Sequence, residues 1–295
     1  MQRHEKKQFD LSMQKIAAIV ITHNPDKNLN QRIERIVNQV AYTIVVDNGS
    51  FFPIDPLLQN FVVSRKLEII KNNYNAGIAK ALNQGLSRAK ELKFSQALTL
   101  DEDTIIDADM VDNLISIYRE YPFKEQIGII GSNARSKNSG KLFKKCKDER
   151  KNFIETKTIV TTGSLMSLSA YECVGPFRND FFIEGVDLEY CLRLRKHGFK
   201  VLFFCQPLMT CSGGGGEVHK FFGRTVLVDN HAPWRYYYRI KNLIKIIRAY
   251  FWQEPSWIFL AILNYFKMFA KIVLYENNRL AKISSILRGI RDSFK

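Results

Sequence analysis

Four short apolar runs, each followed by polar residues, dominate the first hundred positions of the chain. The runs lie at residues 16–21, 43–46, 67–70 and 94–100, and stretches with helical spacing of apolar residues lie at 28–40 and 78–92. Uninterrupted apolar runs of this length are typical of strands buried on both faces, as in parallel sheets. The order strand, helix, strand favours right-handed βαβ units. The pattern therefore predicts an α/β fold built on a largely parallel sheet.

Beyond residue 110 the alternation continues less regularly, and the chain ends in helical patterns. We predict helices at 111–121 and from about Val186, strands at 127–131 and 159–166, a mobile lysine-rich loop at 135–152, a flexible glycine-rich loop at 211–217, and helix throughout from Ile240. At 295 residues the chain is long enough to bury a large core in one domain or in two fused domains.

Polar residues follow the first strands, at the sheet edge where open α/β folds bind their ligands. The first strand runs into the polar turn 22–25 and the second into the polar turn 47–50. No GxGxxG follows the first strand and no GxxxxGK[ST] occurs, which argues against a dinucleotide enzyme and a P-loop NTPase. Asn75 and Gly77 precede the helix at 78–92. Free backbone N–H groups there suit a phosphate or a ribose, and an ordinary Asn-rich cap is the alternative.

Two aspartates at the end of the fourth strand are the first sign of chemistry. Side chains alternate along an extended chain, so Asp101 and Asp103 are expected on the same side. Two carboxylates at one strand end suit Mg²⁺ or Mn²⁺, with a substrate diphosphate completing the coordination. A D-x-D motif also arises by chance about once in a chain of this length. A solvated turn is therefore the alternative.

Four sequence blocks in this order carry a resemblance to a known family. The blocks are IAAIVITHNP, IVVDNGS, NNYNAGIAKALNQGL and LTLDEDT. Together they resemble the nucleotide-sugar half of an inverting family-two glycosyltransferase with the GT-A fold. They most resemble the bacterial rhamnosyltransferases of polysaccharide and O-antigen assembly, and the likeness extends over residues 16–242. The resemblance implies a Rossmann-like nucleotide-sugar-binding sheet followed by a basic helical extension.

The resemblance also implies roles for the polar strand ends. It places a divalent cation, Mg²⁺ or Mn²⁺, on Asp103 and Asp101. It assigns nucleotide-sugar binding to Thr22, Asn24, Asp47, Asn75, Gly77, Glu102 and Arg235. The last of these lies in segment 231–239, which resembles the family's H-x-P-x-R-x-Y-Y motif, and the planar fork of an arginine suits a phosphate. The tyrosines of that segment fit a core-packing role equally well.

A second acidic block, at residues 181–193, matches the family's motif for the general base. Asp187 stands on the position of the catalytic aspartate, with Val186 before it in place of the commonest glutamate. Inverting transfer needs one base to take the proton of the acceptor hydroxyl as it attacks the anomeric carbon. Glu184 and Glu189 are the nearby competitors. A helix start should lower the pKa of Asp187 and burial should raise it, and the sequence leaves this balance open.

The histidines offer only secondary candidates for the site. Relatives often carry a histidine near Cys211 that joins the metal, and this chain has none there. His219 is the candidate substitute, and His231 of the H-x-P segment is a second candidate.

The positive charge of the chain is concentrated at its C-terminal end. The net charge is +15, and residues 235–295 carry 12 Lys/Arg against 3 Asp/Glu, a net +9. The apolar stretch 258–274 is interrupted by Asn264, Lys267 and Lys271, so it falls short of the about 18 uninterrupted apolar residues of a membrane span. Aromatic residues beside spaced lysines favour a helix that lies in the interface of an anionic membrane. A buried core helix is the alternative.

Cysteine usage favours a reducing compartment. The five cysteines form neither a CxxC pair nor a metal-binding spacing, and the first ten residues are charged, unlike a secretory signal. An odd number of cysteines without such a signal favours reduced thiols in a cytoplasm.

These patterns and the resemblance together predict a cytoplasmic enzyme, peripheral on the inner face of the plasma membrane. We expect an N-terminal tail at 1–15, a GT-A domain at 16–230, with its nucleotide-sugar half at 16–110 and its acceptor half at 111–230, and a helical, membrane-associating extension at 231–295. By resemblance the enzyme transfers L-rhamnose from dTDP-L-rhamnose to a lipid-linked oligosaccharide. The same fold with UDP-galactose or UDP-N-acetylglucosamine as the donor is the alternative.

Two other classes of protein fit single features of the sequence. A haloacid-dehalogenase-like phosphatase also places D-x-D after a strand. Its motif normally opens the domain and has Thr or Val where this chain has Ile105. A basic nucleic-acid-binding protein would explain the charge. The aromatic residues do not interleave with basic ones as in a recognisable module, so no nucleic acid is expected as a partner.

Overall fold

A mixed sheet of nine strands forms the centre of the part of the chain that the structure describes. The structure is a computed structural model, and it describes residues 16–137, 140–146, 151–211, 217–221 and 224–295. The strands are β1 (Ile16–Thr22), β2 (Tyr42–Asp47), β3 (Leu67–Lys71), β4 (Gln96–Asp101), β5 (Ile105–Ile106), β6 (Ile127–Ser136), β7 (Phe153–Glu155), β8 (Ser164–Ser167), β9 (Lys200–Cys211), β10 (Glu217–Phe221) and β11 (Arg224–Val228). The helices are α1 (Leu29–Val37), α2 (Asp55–Val63), α3 (Ile78–Glu91), α4 (Met110–Glu120), α5 (Leu168–Val174), α6 (Val186–Lys196), α7 (Pro233–Tyr250), α8 (Pro255–Tyr275) and α9 (Arg279–Asp292), with a 3-10 turn at Lys124–Gln126.

The strand order in the sheet is β3-β2-β1-β4-β8-β6-β9-β5, with β7 paired to β9. Strands β3, β2, β1 and β4 run parallel, and β8 pairs antiparallel with β4. Every residue of β1 is buried, because α1, α2 and α4 cover one face of the sheet and α3, α5 and α6 cover the other. The predicted α/β fold on parallel strands is confirmed, and the carboxyl ends of β1, β2 and β4 share one edge.

The elements missed from sequence lie mainly in the second half. Helix α5 and strand β9 were not predicted, although β9 pairs with β5, β6 and β7. In the first half α2 was missed, and the predicted strand at 159–166 begins only at Ser164. These elements owe their form to pairing and packing partners that are distant in sequence, which local patterns do not reveal.

A disulfide corrects the prediction that all thiols are reduced. Cys146 and Cys205 are bonded, with their Cα atoms 5.8 Å apart. They are separated by 59 positions, so their spacing gave no sign of the pairing. Two parts of the segment predicted as a mobile loop are held in place, because β6 extends to Ser136 and the disulfide joins Cys146 to β9. Residues 138–139 and 147–150 of that segment, like 212–216 of the glycine-rich loop, lie outside the described residues.

The C-terminal extension, α7 to α9, is folded onto the rest of the protein. A small core joins its helices through Tyr236, Ile240, Ile272 and Ile286. Beside this core Nζ of Lys282 lies 2.7 Å from Oε2 of Glu276, and both side chains are buried. Ile246 and Tyr250 of α7 pack into the same core as α3 and α6. The extension therefore shares hydrophobic core with the sheet domain.

Helix α8 is exposed along most of its length. It has 21 residues and is long and apolar enough to cross a membrane, by length and composition only. Only 11% of its apolar stretch is buried inside the protein. Its exposed large apolar side chains include Phe259, Leu260, Leu263, Phe266, Val273 and Leu274. The alternative of a buried core helix is therefore wrong. The polar interruptions at Asn264, Lys267 and Lys271 do not by themselves exclude a span.

Candidate active site

A cavity of about 580 Å³ lies at the carboxyl ends of β1 and β4, facing the start of α6. Its walls come from residues 21–23, 101–103, 160–162 and 182–187, together with Asn48, Asn75, Gly77, Ile78, Trp234 and Arg235. Open α/β sheets bind ligands at this edge. The cavity is therefore the candidate active site.

Asp101 and Asp103 both line the cavity. Asp101 is the last residue of β4, whereas Asp103 lies in the turn that follows, so the alternation of side chains along a strand does not extend to Asp103. Burial raises the pKa of Asp101 to about 6, and the charges of Asp103 and Asp187 also raise it, whereas a hydrogen bond from Thr162 lowers it. Crowded carboxylates of this kind are stabilised by a cation.

Glu102 is bonded to the end of β1. The backbone N–H of His23 donates to Oε2 of Glu102 at 2.6 Å. Burial raises the pKa of Glu102 to about 7, although this hydrogen bond lowers it. The buried hydroxyl of Thr22 has no hydrogen-bond partner within the described part of the chain. A polar ligand is one of the partners that can satisfy such a group on a cavity wall.

The turn that precedes α3 is held by hydrogen bonds rather than left open. Its backbone N–H groups donate from Ala76 to Oδ1 of Asn48 at 3.0 Å, from Gly77 to Oδ1 of Asn75 at 3.1 Å, and from Ile78 to the carbonyl oxygen of Phe182 at 2.8 Å. The expectation of free N–H groups for a phosphate is therefore wrong at these three positions. Gly77 has a φ of +87°, and an added Cβ would come 2.7 Å from the Phe182 carbonyl oxygen. Glycine is required there because segment 182–187 approaches so closely.

Asp187 lies in the first turn of α6 and lines the cavity. Its carboxylate accepts a hydrogen bond from the N–H of Leu188 at 2.9 Å. Burial raises the pKa of Asp187 to about 6 against the lowering effect of backbone N–H groups, and the charge of Glu184 adds to the rise. Burial thus outweighs the helix start, which the sequence left open. A carboxylate with this pKa is ionised at neutral pH and is a stronger base than an ordinary aspartate.

Glu184 also lines the cavity, but two arginines engage its carboxylate. Nε of Arg235 donates to Oε1 at 2.8 Å, and Nε of Arg239 donates to Oε2 at 2.8 Å. Burial alone would raise the pKa of Glu184, but the charges of Arg239 and Arg235 outweigh it and hold the pKa below its ordinary value. Glu184 is therefore a weaker base than Asp187. Arg235, predicted to contact phosphate, reaches the cavity with part of its guanidinium already bonded.

Glu189, the other competitor for the base, faces the protein core. Its side chain is buried, and its carboxylate accepts hydrogen bonds from the Tyr250 hydroxyl at 2.7 Å and from Arg193 at 3.0 Å. It does not line the cavity. The prediction of Glu189 as a competing base is therefore wrong. It lies two residues after Asp187 on the same helix, a rotation of about 200°, so its side chain points away from the cavity.

Two residues predicted to bind the nucleotide-sugar lie beside the cavity lining. Asn24 adopts a left-handed conformation with a φ of 59°. Its N–H donates to Oγ of Ser50 at 2.8 Å, and its Oδ1 accepts from the N–H of Phe51 at 2.8 Å. Asp47 accepts from the N–H of Ser50 at 3.0 Å. Asn24 thus joins the loops after β1 and β2, and Asp47 stabilises the loop after β2. A direct role of either residue in binding stays a prediction.

Of the two histidine candidates, only His231 has a described side chain, and it does not line the cavity. His231 is half-buried, and burial and then the charges of Arg235 and Arg239 lower its pKa. His219 lies in β10, whose side chains are outside the described residues.

Three contributing side chains were not singled out from sequence. Asn48 bonds to the turn before α3, and its position directly after Asp47 at a strand end was an available signal. The hydroxyl of Thr162 accepts from the N–H of Asp101 at 3.0 Å. Asn242 of α7 donates to the backbone of the segment that precedes α6. The last two contacts join distant parts of the chain, and no local pattern indicates them.

Comparison with known sequences identifies the family. The sequence profile of Glycosyl transferase family 2 matches residues 17–175, more than half of the chain. The chain is 29% identical over 247 residues to a Shigella flexneri protein named dTDP-rhamnosyl transferase RfbF, an alignment that covers 79% of this chain and 80% of that one. It is 25% identical over 180 residues to the poly-beta-1,6-N-acetyl-D-glucosamine synthase of Staphylococcus aureus (strain COL), covering 57% of this chain and 41% of the synthase.

Solved structures with a similar fold include complexes with a nucleotide or a nucleotide-sugar. Residues 1–349 of TarS from S. aureus in complex with UDP-GlcNAc superpose with a TM-score of 0.62 at 12% identity, covering 94% of this chain and 81% of that one. GalNAc-T7 with UDP, GalNAc and Mn²⁺ gives a TM-score of 0.62 at 11% identity, covering 85% of this chain and 50% of that one. These likenesses concern the fold. The chain belongs to glycosyl transferase family 2 and is a glycosyltransferase with the GT-A fold.

Proposed function

We propose that the protein is an inverting transferase that moves L-rhamnose from dTDP-L-rhamnose onto a lipid-linked glycan. The observation that carries this proposal is a single cavity lined by the Asp101–Asp103 pair and by Asp187, whose carboxylate no basic side chain engages in the described structure. The S. flexneri relative supports the donor, because its name is that of a dTDP-rhamnosyl transferase and the two chains align over most of their lengths.

The donor is expected to lie against the sheet side of the cavity. Thr22 offers a buried hydroxyl without a partner among the described residues, and the amides of Asn48 and Asn75 shape the adjoining wall. Arg235 has N–H groups beyond the two that face Glu184, and a guanidinium suits the diphosphate.

The Asp101–Asp103 pair fits a divalent cation such as Mg²⁺ or Mn²⁺. Carboxylate oxygens are the ligands these ions prefer. Burial raises the pKa of Asp101, and the charges of Asp103 and Asp187 add to the rise; a cation would offset both effects. No group of three or more His, Cys, Asp or Glu side chains in the described ranges is arranged to hold a metal. The diphosphate is therefore expected to supply the remaining ligands. When bound, such an ion supplies neutralisation of the charge on the leaving diphosphate.

Asp187 is the proposed general base for the transfer. Its carboxylate accepts the proton of the acceptor hydroxyl while the hydroxyl oxygen bonds to the anomeric carbon and the bond from that carbon to the diphosphate breaks. The proton leaves later to water and the nucleoside diphosphate departs. Because one displacement occurs, the product has the opposite anomeric configuration to the donor.

We further propose that the enzyme works on an anionic membrane, with α8 lying in the plane of the interface. Both ends of α8 are fixed to the same folded body. At its start Glu254 accepts from Arg195 at 2.6 Å and from Lys157 at 2.9 Å. At its end Glu276 accepts from the Tyr236 hydroxyl at 2.7 Å. A spanning helix would have to carry one of these ends across the bilayer, so an in-plane position fits better.

The charge of the extension favours a lipid surface over a second copy of the chain. Residues 235–295 carry a net charge of +9, which attracts anionic headgroups and opposes self-association. Lys267 is exposed next to the apolar face of α8. Such a surface would also bring a lipid-linked acceptor within reach.

The donor is tested by titrating the purified protein with dTDP and with UDP, each with and without Mn²⁺. Nucleotide release from dTDP-L-rhamnose, UDP-N-acetylglucosamine and UDP-galactose is then compared in the presence of a lipid-linked acceptor. We expect tighter binding of dTDP, strengthened by Mn²⁺, and release from dTDP-L-rhamnose alone. Release only from a UDP-sugar would reject the rhamnosyl donor in favour of the alternative.

The membrane surface is tested by co-sedimentation with vesicles of phosphatidylglycerol and phosphatidylcholine. The double variant Phe259→Ser/Phe266→Ser should lose most binding, because both rings are exposed on α8. The matched control is Phe51→Ser/Phe52→Ser, which removes two even more exposed rings far from α8 in the chain. Equal binding of both variants contradicts the proposal. If the wild-type protein is a dimer in the absence of lipid and only the α8 variant is a monomer, the apolar face of α8 binds a second copy of the chain instead.

A further inference from the structure

Segment 183–187, named here the catalytic turn, has an unusual backbone. Glu184 and Gly185 have φ values of 63° and 79°, so two consecutive residues adopt the left-handed conformation directly before α6. A non-glycine residue is strained in this region and persists there only where surrounding contacts impose it. Asp187 follows two residues later, in the first turn of α6. Whatever holds Glu184 and Gly185 therefore sets the start of the helix that carries the proposed base.

One face of α7 supplies those contacts. Arg235, Arg239 and Asn242 are spaced by four and three residues, which places them on the same side of the helix. The two arginines hold the side chain of Glu184. Nδ2 of Asn242 donates to the carbonyl oxygens of Ile183 at 2.8 Å and of Glu184 at 2.7 Å. The catalytic turn is thus held through both its side chain and its main chain.

The buried amide of Asn242 is energetically unfavourable for a residue that only packs. It is only 1% exposed, and its Oδ1 has no hydrogen-bond partner among the described residues. A buried acceptor without a partner is destabilising. Only the amino half of the amide is used, and both of its bonds go to the catalytic turn. The packing is also direct, because a Cβ added to Gly185 would lie 3.7 Å from Cβ of Asn242.

We propose that Asn242 is a positioning residue that fixes the catalytic turn so that Asp187 meets the acceptor hydroxyl. The proposal rests on the function proposed above for Asp187. Asn242 does not line the cavity, so it acts through the peptide groups of 183–185. The helical extension would thus take part in forming the active site, because α7, which carries Asn242, also packs with α8 and α9.

The test compares Asn242→Leu with Tyr236→Phe, a matched control on the same helix. Tyr236 is buried on α7 and bonds to Glu276, away from the catalytic turn, so its loss measures general destabilisation of the helix. We expect kcat of Asn242→Leu to fall about tenfold to 10²-fold, the usual effect of a misplaced catalytic group, with the KM for donor within about twofold. Tyr236→Phe should lower the melting temperature by a similar amount and keep kcat.

A second variant keeps the proposal testable should Asn242→Leu fold poorly. Arg239→Met removes one of the two holds on Glu184 at a partly exposed position, and should give a smaller loss of kcat with an unchanged KM for donor. Wild-type kcat in folded Asn242→Leu or in Arg239→Met overturns the positioning role. Equal losses of kcat in Asn242→Leu and Tyr236→Phe also overturn it. Asp187→Asn tests the identity of the base separately, because Asn242 and its hydrogen bonds to the catalytic turn are not altered in that variant.

Discussion

In the sheet half of the protein cavity residues end or follow strands, whereas in the helical extension the residues that reach the cavity or the catalytic turn are spaced along one face of α7. Thr22, Asn48 and Asp101 follow or end β1, β2 and β4, and the parallel sheet brings them together. Arg235 reaches the cavity, and Asn242 reaches the backbone of the catalytic turn, only because α7 packs against that turn. The topology of the sheet thus positions the proposed donor contacts, and tertiary contacts of the extension position the proposed base.

At the cavity the two regions meet on segment 182–187. Gly77 of the sheet half packs on Phe182, and Ile78 donates to its carbonyl oxygen at 2.8 Å. The other end of the same segment is bonded to Asn242. Segment 182–187 is therefore held from both sides. The division of labour predicts that substitutions in the sheet half change donor binding, and that substitutions around α6 and α7 change turnover.

The largest effect is expected for Asp187→Asn, which removes the base and nearly preserves the shape. Turnover should fall by about 10²–10⁴-fold, the usual contribution of general base catalysis, with donor affinity unchanged. The variant should not be less stable at pH 7, because burial disfavours the ionised carboxylate in the folded state and raises its pKa to about 6. Initial rates and melting curves check both statements. Glu184→Gln is the comparison, and its loss should be smaller; the opposite order would move the base to Glu184.

Asp103→Ala should come next and should act through the donor. Activity should fall by about 10²–10³-fold, equivalent to ~3–4 kcal/mol, because charge on the leaving diphosphate is no longer neutralised. The strengthening of dTDP binding by Mn²⁺ should vanish, and calorimetric titration measures it. Nucleotide and Mn²⁺ binding like that of the parent protein would show that the site has been assigned to the wrong carboxylates.

The pH dependence should isolate the base. With Mn²⁺ and donor saturating, a bound cation keeps Asp101 ionised. The value of kcat/KM for the acceptor should then fall about tenfold per pH unit below the pKa of Asp187, raised to about 6, because only the ionised form accepts a proton. Activity is thus present above pH 6 and lost on acidification. A profile that stays flat down to pH 5 speaks against Asp187.

Lys267→Gln should give the smallest effect and concerns the outer face of the extension. Removal of one exposed charge near an anionic surface should weaken vesicle binding about fivefold, equivalent to ~1 kcal/mol. Turnover on a soluble acceptor analogue should not change, since α8 does not line the cavity. Vesicle co-sedimentation at low and high salt measures the difference, and binding that ignores both salt and substitution contradicts an electrostatic contribution.

Sequence patterns predicted the sheet half well because its strands are buried on both faces. The apolar run at 16–21 is typical of a strand buried on both faces, and β1 contains all of it and one further residue. Polar strand ends then followed from the topology. The same reasoning failed for the turn at Asn75 and Gly77, since the side chain of Asn48 and the carbonyl of Phe182 take its N–H groups. Those partners are distant in sequence, so no local pattern predicts them.

In the extension the prediction stopped at helix and charge. Apolar spacing gave helices, but not that α8 leaves its apolar face exposed while both of its ends are bonded to the protein. The disulfide between Cys146 and Cys205 was also not predicted, because the two cysteines are separated by 59 positions and no local pattern links them. The motif at 181–193 singled out Asp187 by resemblance. Its surroundings, in particular the buried amide of Asn242, depend on contacts between residues 58 and 59 positions apart.

One ionised carboxylate, Asp187, is proposed to drive a single displacement at the anomeric carbon. The anomeric configuration of the product tests this directly, and NMR reads it from the reaction of dTDP-L-rhamnose with the acceptor. We expect a product with the opposite anomeric configuration to the donor, formed by the wild-type protein and not detectably by Asp187→Asn. A product with retained configuration, or full activity of Asp187→Asn, would contradict it.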